Sequence, residues 1–211
     1  MRIVKLDENT KAQALEKLIG RGASGYGGYE KTVREIIDNV RRNGDDALIE
    51  YSEKFDKCRL TAQTLRVTAE EISDAYAALD PALIEVMKRA AENIRSYHEK
   101  QKRTSWITTR EDGVILGQKI TPIEVSGCYV PGGRAVYPSS VLMNIVPAKV
   151  AGVEKIVMCT PPGADGKAAA GTIVAADIAG ATEIYKAGGA QAIAAMAYGT
   201  QTIPKVDKIT G

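Results

Sequence analysis

Histidine is nearly absent from this chain: among 211 residues there is one, His98. A zinc site of the usual histidine-rich kind cannot be assembled from these residues alone. Cysteine is scarce as well. Cys58, Cys128 and Cys159 are odd in number and far apart, which argues against a disulfide framework and against a CxxC metal knuckle. Cys128 and Cys159 fall inside strand-like runs and read as small core residues. The glycine fingerprints GxGxxG and GxxxxGKS/T are both missing, so a dinucleotide site here would not use the usual motif. Charge of one sign is lacking too: 28 Lys and Arg against 26 Asp and Glu leave a net +2, dispersed along the chain. That excludes a nucleic-acid stripe, an acidic tail and a membrane-surface helix. No apolar run reaches a membrane span, since the nearest, Val174 to Ala181, is broken by Asp177. The charged start MRIVKLDENT leaves no apolar stretch for a signal peptide. The expected location is cytoplasmic, with neither nucleic acid nor membrane as partner.

What is present is an ordinary globular balance, 45% hydrophobic and 26% charged residues, in a chain long enough to bury a substantial core. Its organising stretch is Ser126 to Gly152, SGCYVPGGRAVYPSSVLMNIVPAKVAG: a short buried strand, a glycine turn and a helix. In α/β proteins that geometry receives ligands. The glycines of Pro131-Gly132-Gly133 let backbone N–H groups approach a ligand, and Arg134 adds a positive charge where a phosphate could sit. Ser139 or Ser140 is the expected N-cap of the helix, whose core side follows from Leu142, Val146 and Val150. Taken alone the tripeptide is weak evidence, because most Pro-Gly-Gly sequences are simply turns.

Residues 1–105 read as helical. After a short strand at Arg2 to Lys5, Ala12, Leu15, Leu18 and Ile19 form an amphipathic set, and five glycines between positions 20 and 28 form a connector. Val33, Ile36, Ile37 and Val40 mark the next helix, stopped by Asn43-Gly44; Asp45 is expected to cap another carrying Leu48, Tyr51 and Phe55. Thr68 and Glu71 have capping-box spacing, and Asp80-Pro81 is a cap followed by proline at the first helical position. The helix it opens runs through Leu83, Met87, Ala90, Ile94 and Tyr97 toward Lys102. His98 reads as a half-buried structural side chain, and Lys100, Lys102 and Arg103 as a solvated helix C-terminus.

From Trp106 the period changes. Val114 to Gln118 and Ile123 to Val125 look like strands, with a hairpin-type turn at Glu111-Asp112-Gly113. Then strands at Lys155 to Thr160, Glu183 to Lys186 and Val206 to Thr210 alternate with helices at Ala168 to Ala179 and Ala190 to Tyr198. Such alternation demands right-handed crossovers and a parallel sheet. The expected fold is α/β: a helical N-terminal segment, 1–105, followed by an incomplete Rossmann-like layer, 106–211. The loops after the strands lie along one edge, bringing Tyr129, Gln191 and Gly211 together. A buried parallel strand at the very end reads as a sheet cut before its edge is completed.

The stretches GDDALIEYSEKFDK from Gly44, PIEVSGCYVPGG from Pro122, YPSSVLMNIVPAKVAGVEKIVMCTPP from Tyr137 and AGGAQAIAAMAYGTQTIPKVDKITG from Ala187 resemble histidinol dehydrogenase, in order and over about the N-terminal half of that family's length. The resemblance implies oxidation of L-histidinol through L-histidinal to L-histidine with two NAD, by a zinc-dependent homodimer whose active sites take residues from both subunits. It implies NAD contacts at Tyr129, in the YVPGG motif, and at Gln191, in GGAQAIAA. The family's zinc ligands, its Glu-His pair and a further NAD-contacting Asn lie beyond the position matching Gly211. No catalytic and no metal-binding residue is therefore assigned in this chain, which by itself is expected to be inactive. The other reading is a short, non-catalytic homologue that binds a nucleotide or a partner through an exposed sheet edge.

Overall fold

A computed structural model describes residues Asp7, Thr10, Lys11, Glu16, 27–132 and 136–211. The expected strand at Arg2 to Lys5, the set Ala12, Leu15, Leu18 and Ile19, and residues 20–26 of the connector lie outside the described residues, as do Gly133 and Arg134; the connector's last two glycines, Gly27 and Gly28, open a helix instead.

Helix α1 (Gly27–Asn43) buries Ile36 and Val40 and half-buries Ile37, as the spacing requires, while Val33 stays exposed. Helix α2 (Asp45–Tyr51) follows after Gly44 alone. Asp45 does not cap it: Gly44 is the N-cap, and the Asp45 carboxylate is buried and turned to Thr202 instead. The chain then widens into a π-helical turn, Ser52–Asp56. The extra residue per turn carries Phe55 off the buried stripe, so it stacks on Tyr51 at 5.6 Å and is 49% exposed.

Helix α3 (Ala69–Ala78) opens with the expected capping box. Glu71 N–H donates to Thr68 Oγ1 at 3.2 Å, and Thr68 N–H donates to the Glu71 carboxylate at 2.9 Å. Helix α4 (Pro81–Glu99) begins where Asp80 accepts the Ala82 N–H at 2.8 Å, with proline at the first position. It stops short of Lys102 in a turn in which Gln101 N–H reaches His98 O.

Strands β1 (Trp106–Thr109) and β2 (Ile115–Gln118) form an antiparallel hairpin. The remaining elements are β3 (Val125–Tyr129), α5 (Pro138–Val150), β4 (Lys155–Thr160), α6 (Ala170–Ala179), β5 (Glu183–Lys186), α7 (Gly189–Tyr198) and β6 (Lys208–Thr210). Four strands make one parallel sheet in the order β5-β4-β3-β6. Ile123 and Glu124 do not form a separate strand; the N–H groups of Glu124 and Val125 go to the Asp207 carboxylate at 3.1 and 2.9 Å, which ties the start of β3 to that of β6. Neither Ser139 nor Ser140 caps α5. Tyr137 is the N-cap, because Pro138 has its φ already set for the first helical position. Strand β6 begins two residues later than expected, since Val206 N–H is taken by Met196 O and its side chain fills the core.

Both faces of the sheet are covered, as a parallel sheet requires. Cys128, Ile156, Met158 and Ile184 pack against α3, α4, α5 and α6. The alternate residues Val157, Cys159 and Tyr185 pack against α1, α2 and α7. Full burial of each Leu, Ile or Met contributes roughly 1.5–3 kcal/mol, so the helices before residue 100 and the sheet after it stabilise one another through two shared cores. The outer edge of β5 is paired antiparallel by Leu65 to Val67: Val67 N–H donates to Ile184 O at 2.9 Å and Lys186 N–H to Leu65 O at 2.8 Å. The outer edge of β6 pairs with no strand among the described residues. No helix among them is long and apolar enough to cross a membrane.

Candidate functional site

The chain winds from β3 to β4 to β5 in one direction and then places β6 on the opposite side of β3. This reversal is a topological switch point, and the crevice beyond the carboxyl ends of the two flanking strands is where open α/β sheets take ligands. Tyr129 is the last residue of β3, and Gly211 follows the last residue of β6. Both therefore sit at that crevice.

Tyr129 is half-buried on the α7 side, and its phenol oxygen accepts the Gly189 N–H at 3.0 Å. Gly189 opens α7, whose N-cap, Gly188, has no side chain to satisfy the first-turn donors. The Tyr129 hydroxyl thus does the work of a cap from another element. Its own proton has no acceptor among the described residues, so it is free to be donated outward. Gln191, in the same first turn, is 3% exposed. Its carboxamide folds back over Gly189: a Cβ there would stand 2.8 Å from Gln191 Oε1, and Gly189 holds a φ of 61° that side chains rarely adopt. Gly188 meets the end of β4 closely enough that a Cβ would lie 2.6 Å from the Pro161 Cβ. The sequence places Tyr129, Gln191 and Gly211 at one edge, and the structure sets the Tyr129 hydroxyl and Gln191 at the α7 N-terminus and Gly211 against the Tyr129 backbone. Arg134, the expected phosphate-facing cation, lies outside the described residues.

A helix start of this kind, with backbone donors, a phenol and no acidic side chain in its first turn, is suited to an anion such as a dinucleotide pyrophosphate. It is not suited to proton abstraction, since neither Tyr129 nor Gln191 offers a carboxylate or an imidazole. His98 stands at the other end of the sheet. It is half-buried, lines a cleft with Pro147, Val150 and Ala151 at the end of α5, holds Gln101 Oε1 at 2.7 Å and meets the Tyr97 ring edge-on. Cys128 and Cys159 are core residues as expected, and burial pushes both thiols up from their ordinary range, which leaves them un-ionised. Among the described residues no group of three or more His, Cys, Asp and Glu side chains is placed to hold a metal ion. These residues do not fit a zinc site.

One feature of this edge escaped the sequence. Lys186 ends β5 beside Thr160 of β4, is 4% exposed, and its Nζ lies 2.6 Å from Glu71 Oε1. Glu71 therefore serves twice, capping α3 with one oxygen and neutralising Lys186 with the other. The only signal was a lysine closing the otherwise buried run EIYK.

The family model described as histidinol dehydrogenase matches residues 21–211. A histidinol dehydrogenase of Geobacillus kaustophilus is 57% identical over 188 residues, covering 89% of this chain and 44% of the relative. That of Bacillus licheniformis is 51% identical over 211 residues, covering 100% and 48%. The crystal structure of histidinol dehydrogenase from Elizabethkingia anophelis superposes with a TM-score of 0.82 at 41% identity, covering 87% of this chain and 42% of that one. The chain spans less than half the length of these relatives. It belongs to the histidinol dehydrogenase family.

Proposed function

We propose that this chain forms the NAD side of an enzyme that oxidises L-histidinol through L-histidinal to L-histidine in histidine biosynthesis. Within it, 1–105 act as a helical scaffold and 106–211 as the NAD-side domain. The observation that carries the reading is the convergence of Tyr129 and Gln191 on the first turn of α7, whose N-cap Gly188 has no side chain, at the switch point in a member of this family.

The dinucleotide fits that place because glycine backbone, not side chain, forms its floor. When bound, NAD would supply the acceptor for hydride from the alcohol carbon. Tyr129 and Gln191 are its contacts, with the free phenol proton and the α7 amides turned to its polar atoms. Alcohol oxidation also needs a base for the hydroxyl proton, and that base is not among these residues. Zinc and the acid-base groups belong to the part of the relatives' length that this chain does not span. The 211 residues alone then bind NAD without turning over histidinol, and the complete enzyme is a cytoplasmic homodimer.

Titration of NAD into the purified chain tests the reading. Saturable binding that weakens at least tenfold in Tyr129→Phe and in Gln191→Ala, with no NADH formed from histidinol and zinc, is the expected result. Binding unchanged in both variants would place NAD elsewhere, and clear turnover by the chain would overturn the assignment of the base.

A further inference from the structure

Strand β4 lies between β3 and β5 in the sheet, so the residue that follows it stands between the turns that follow its two neighbours. That residue is Pro161, which is half-buried. A Cβ on Gly132, in the turn after β3, would lie 3.0 Å from the Pro161 Cγ and 3.4 Å from its Cδ. A Cβ on Gly188, in the turn after β5, would lie 2.6 Å from the Pro161 Cβ and 3.5 Å from its Cγ. One pyrrolidine ring therefore stands against both turns. Neither glycine holds a positive φ, Gly188 lying at −110°, so backbone conformation does not call for glycine at either place. The ring does, because each turn comes so near it that a side chain has no room.

Proline suits this place for two reasons. It has no N–H, so it ends β4 without leaving a donor unpaired, and its closed ring has no rotamer through which to swing aside. The turns on either side are also drawn toward each other across β4. The Gly189 N–H, next after Gly188, donates to the hydroxyl of Tyr129, the last residue of β3, at 3.0 Å. That hydrogen bond is a tie between the ends of β3 and β5, and the ring of Pro161 is the spacer that limits how far it draws them. We infer that Pro161 is a positioning residue, which fixes the separation between the Gly132 turn and the first turn of α7 and thereby the width of the dinucleotide seat. This rests on the NAD reading above and names what sets the shape of that seat. A seat held at its width before the ligand arrives spares binding the cost of ordering it.

Calorimetric titration of NAD into the purified chain and its variants tests the spacer, with circular dichroism and a denaturant midpoint recording that each variant is folded. Pro161→Gly removes the whole ring and should bind NAD about tenfold more weakly than the parent. Gly188→Ala added to it puts a methyl into the space the ring vacated and should bring the affinity back to within about threefold of the parent, although Gly188→Ala alone weakens binding. A purely structural proline would lower the midpoint and leave the affinity of the folded chain unchanged. Pro161→Ala is the milder variant, for use where glycine prevents folding: it keeps the Cβ that faces Gly188 and removes the Cγ that faces Gly132. It should weaken binding by a smaller factor, and Gly132→Ala, not Gly188→Ala, should restore it. Native affinity in both Pro161 variants would overturn the spacer and leave the dinucleotide reading standing, as would a weakened affinity that neither glycine substitution repairs. A parent chain that takes up no NAD would overturn both.

Discussion

Thr202 gives both its hydroxyl and its backbone N–H to the carboxylate of Asp45, which lies 157 residues earlier in the chain. Gln201 adds to this tie by accepting the Asp45 N–H at 2.9 Å. The start of α2 is thereby fixed to the loop that leads from α7 into β6. Asp45→Ala should destabilise the fold by about 1–3 kcal/mol, since it leaves the half-buried Thr202 hydroxyl without its acceptor. A denaturant midpoint shifted by less than the error of the measurement would show that the tie contributes nothing.

The Lys186–Glu71 pair should behave as a buried ion pair does. Removing one partner in Lys186→Ala should cost about 3–5 kcal/mol at most, less the relief that the 20% exposure of Glu71 allows. Lys186→Met with Glu71→Gln should recover much of that, because no uncompensated charge remains. Equal losses in the single and double variants, compared by chemical denaturation, would contradict the pairing.

Tyr76 donates to Asp177 Oδ2 at 2.7 Å, and desolvation together with that carboxylate raises its pKa from 10.0 to about 12. A raised folded pKa means that the neutral phenol is favoured by folding. Its stabilising contribution is complete below pH 10.0 and is lost as pH rises toward about 12. Tyr76→Phe should flatten the alkaline limb of a stability–pH profile in that window. An unchanged limb would assign the loss to other tyrosines.

Gly188→Ala would bring a methyl to 2.6 Å from the Pro161 Cβ and 3.3 Å from its Cα, and the Cα belongs to the backbone and cannot rotate away. The first turn of α7 must then move off the ends of β4 and β5. The expected result is weaker NAD binding together with a loss of roughly 1–3 kcal/mol of stability. Calorimetric titration showing native affinity in this variant would mean that the α7 turn does not form the dinucleotide seat.

What the sequence disclosed was local chemistry. The capping box of Thr68 and Glu71 and the Asp80-Pro81 start need only residues within one turn, so they are written in consecutive letters. The alternation of strand and helix from Val125 onward implied the parallel sheet and the common edge at the carboxyl ends of its strands, where Tyr129 and Gly211 lie. Asp45 and Ser139 were misleading for the same reason: each is a fitting cap by type, but a partner 157 residues away claims the first, and the neighbouring Pro138 starts the helix ahead of the second. The bond from Gly189 to Tyr129 spans 60 residues, and the Lys186–Glu71 pair spans 115. No pattern of spacing announces either.

The order of the two shared cores along the chain bears on its synthesis. Leu48, Leu65 and Met87 emerge from the ribosome well before Met158 and Tyr185, the sheet residues of the cores they share. At about 5–20 residues per second the early helices wait on the order of ten seconds for the strands that cover them. During that interval their apolar stripes are free to meet a chaperone or another nascent chain, and the stretch that closes the fold is also the stretch that ends their exposure.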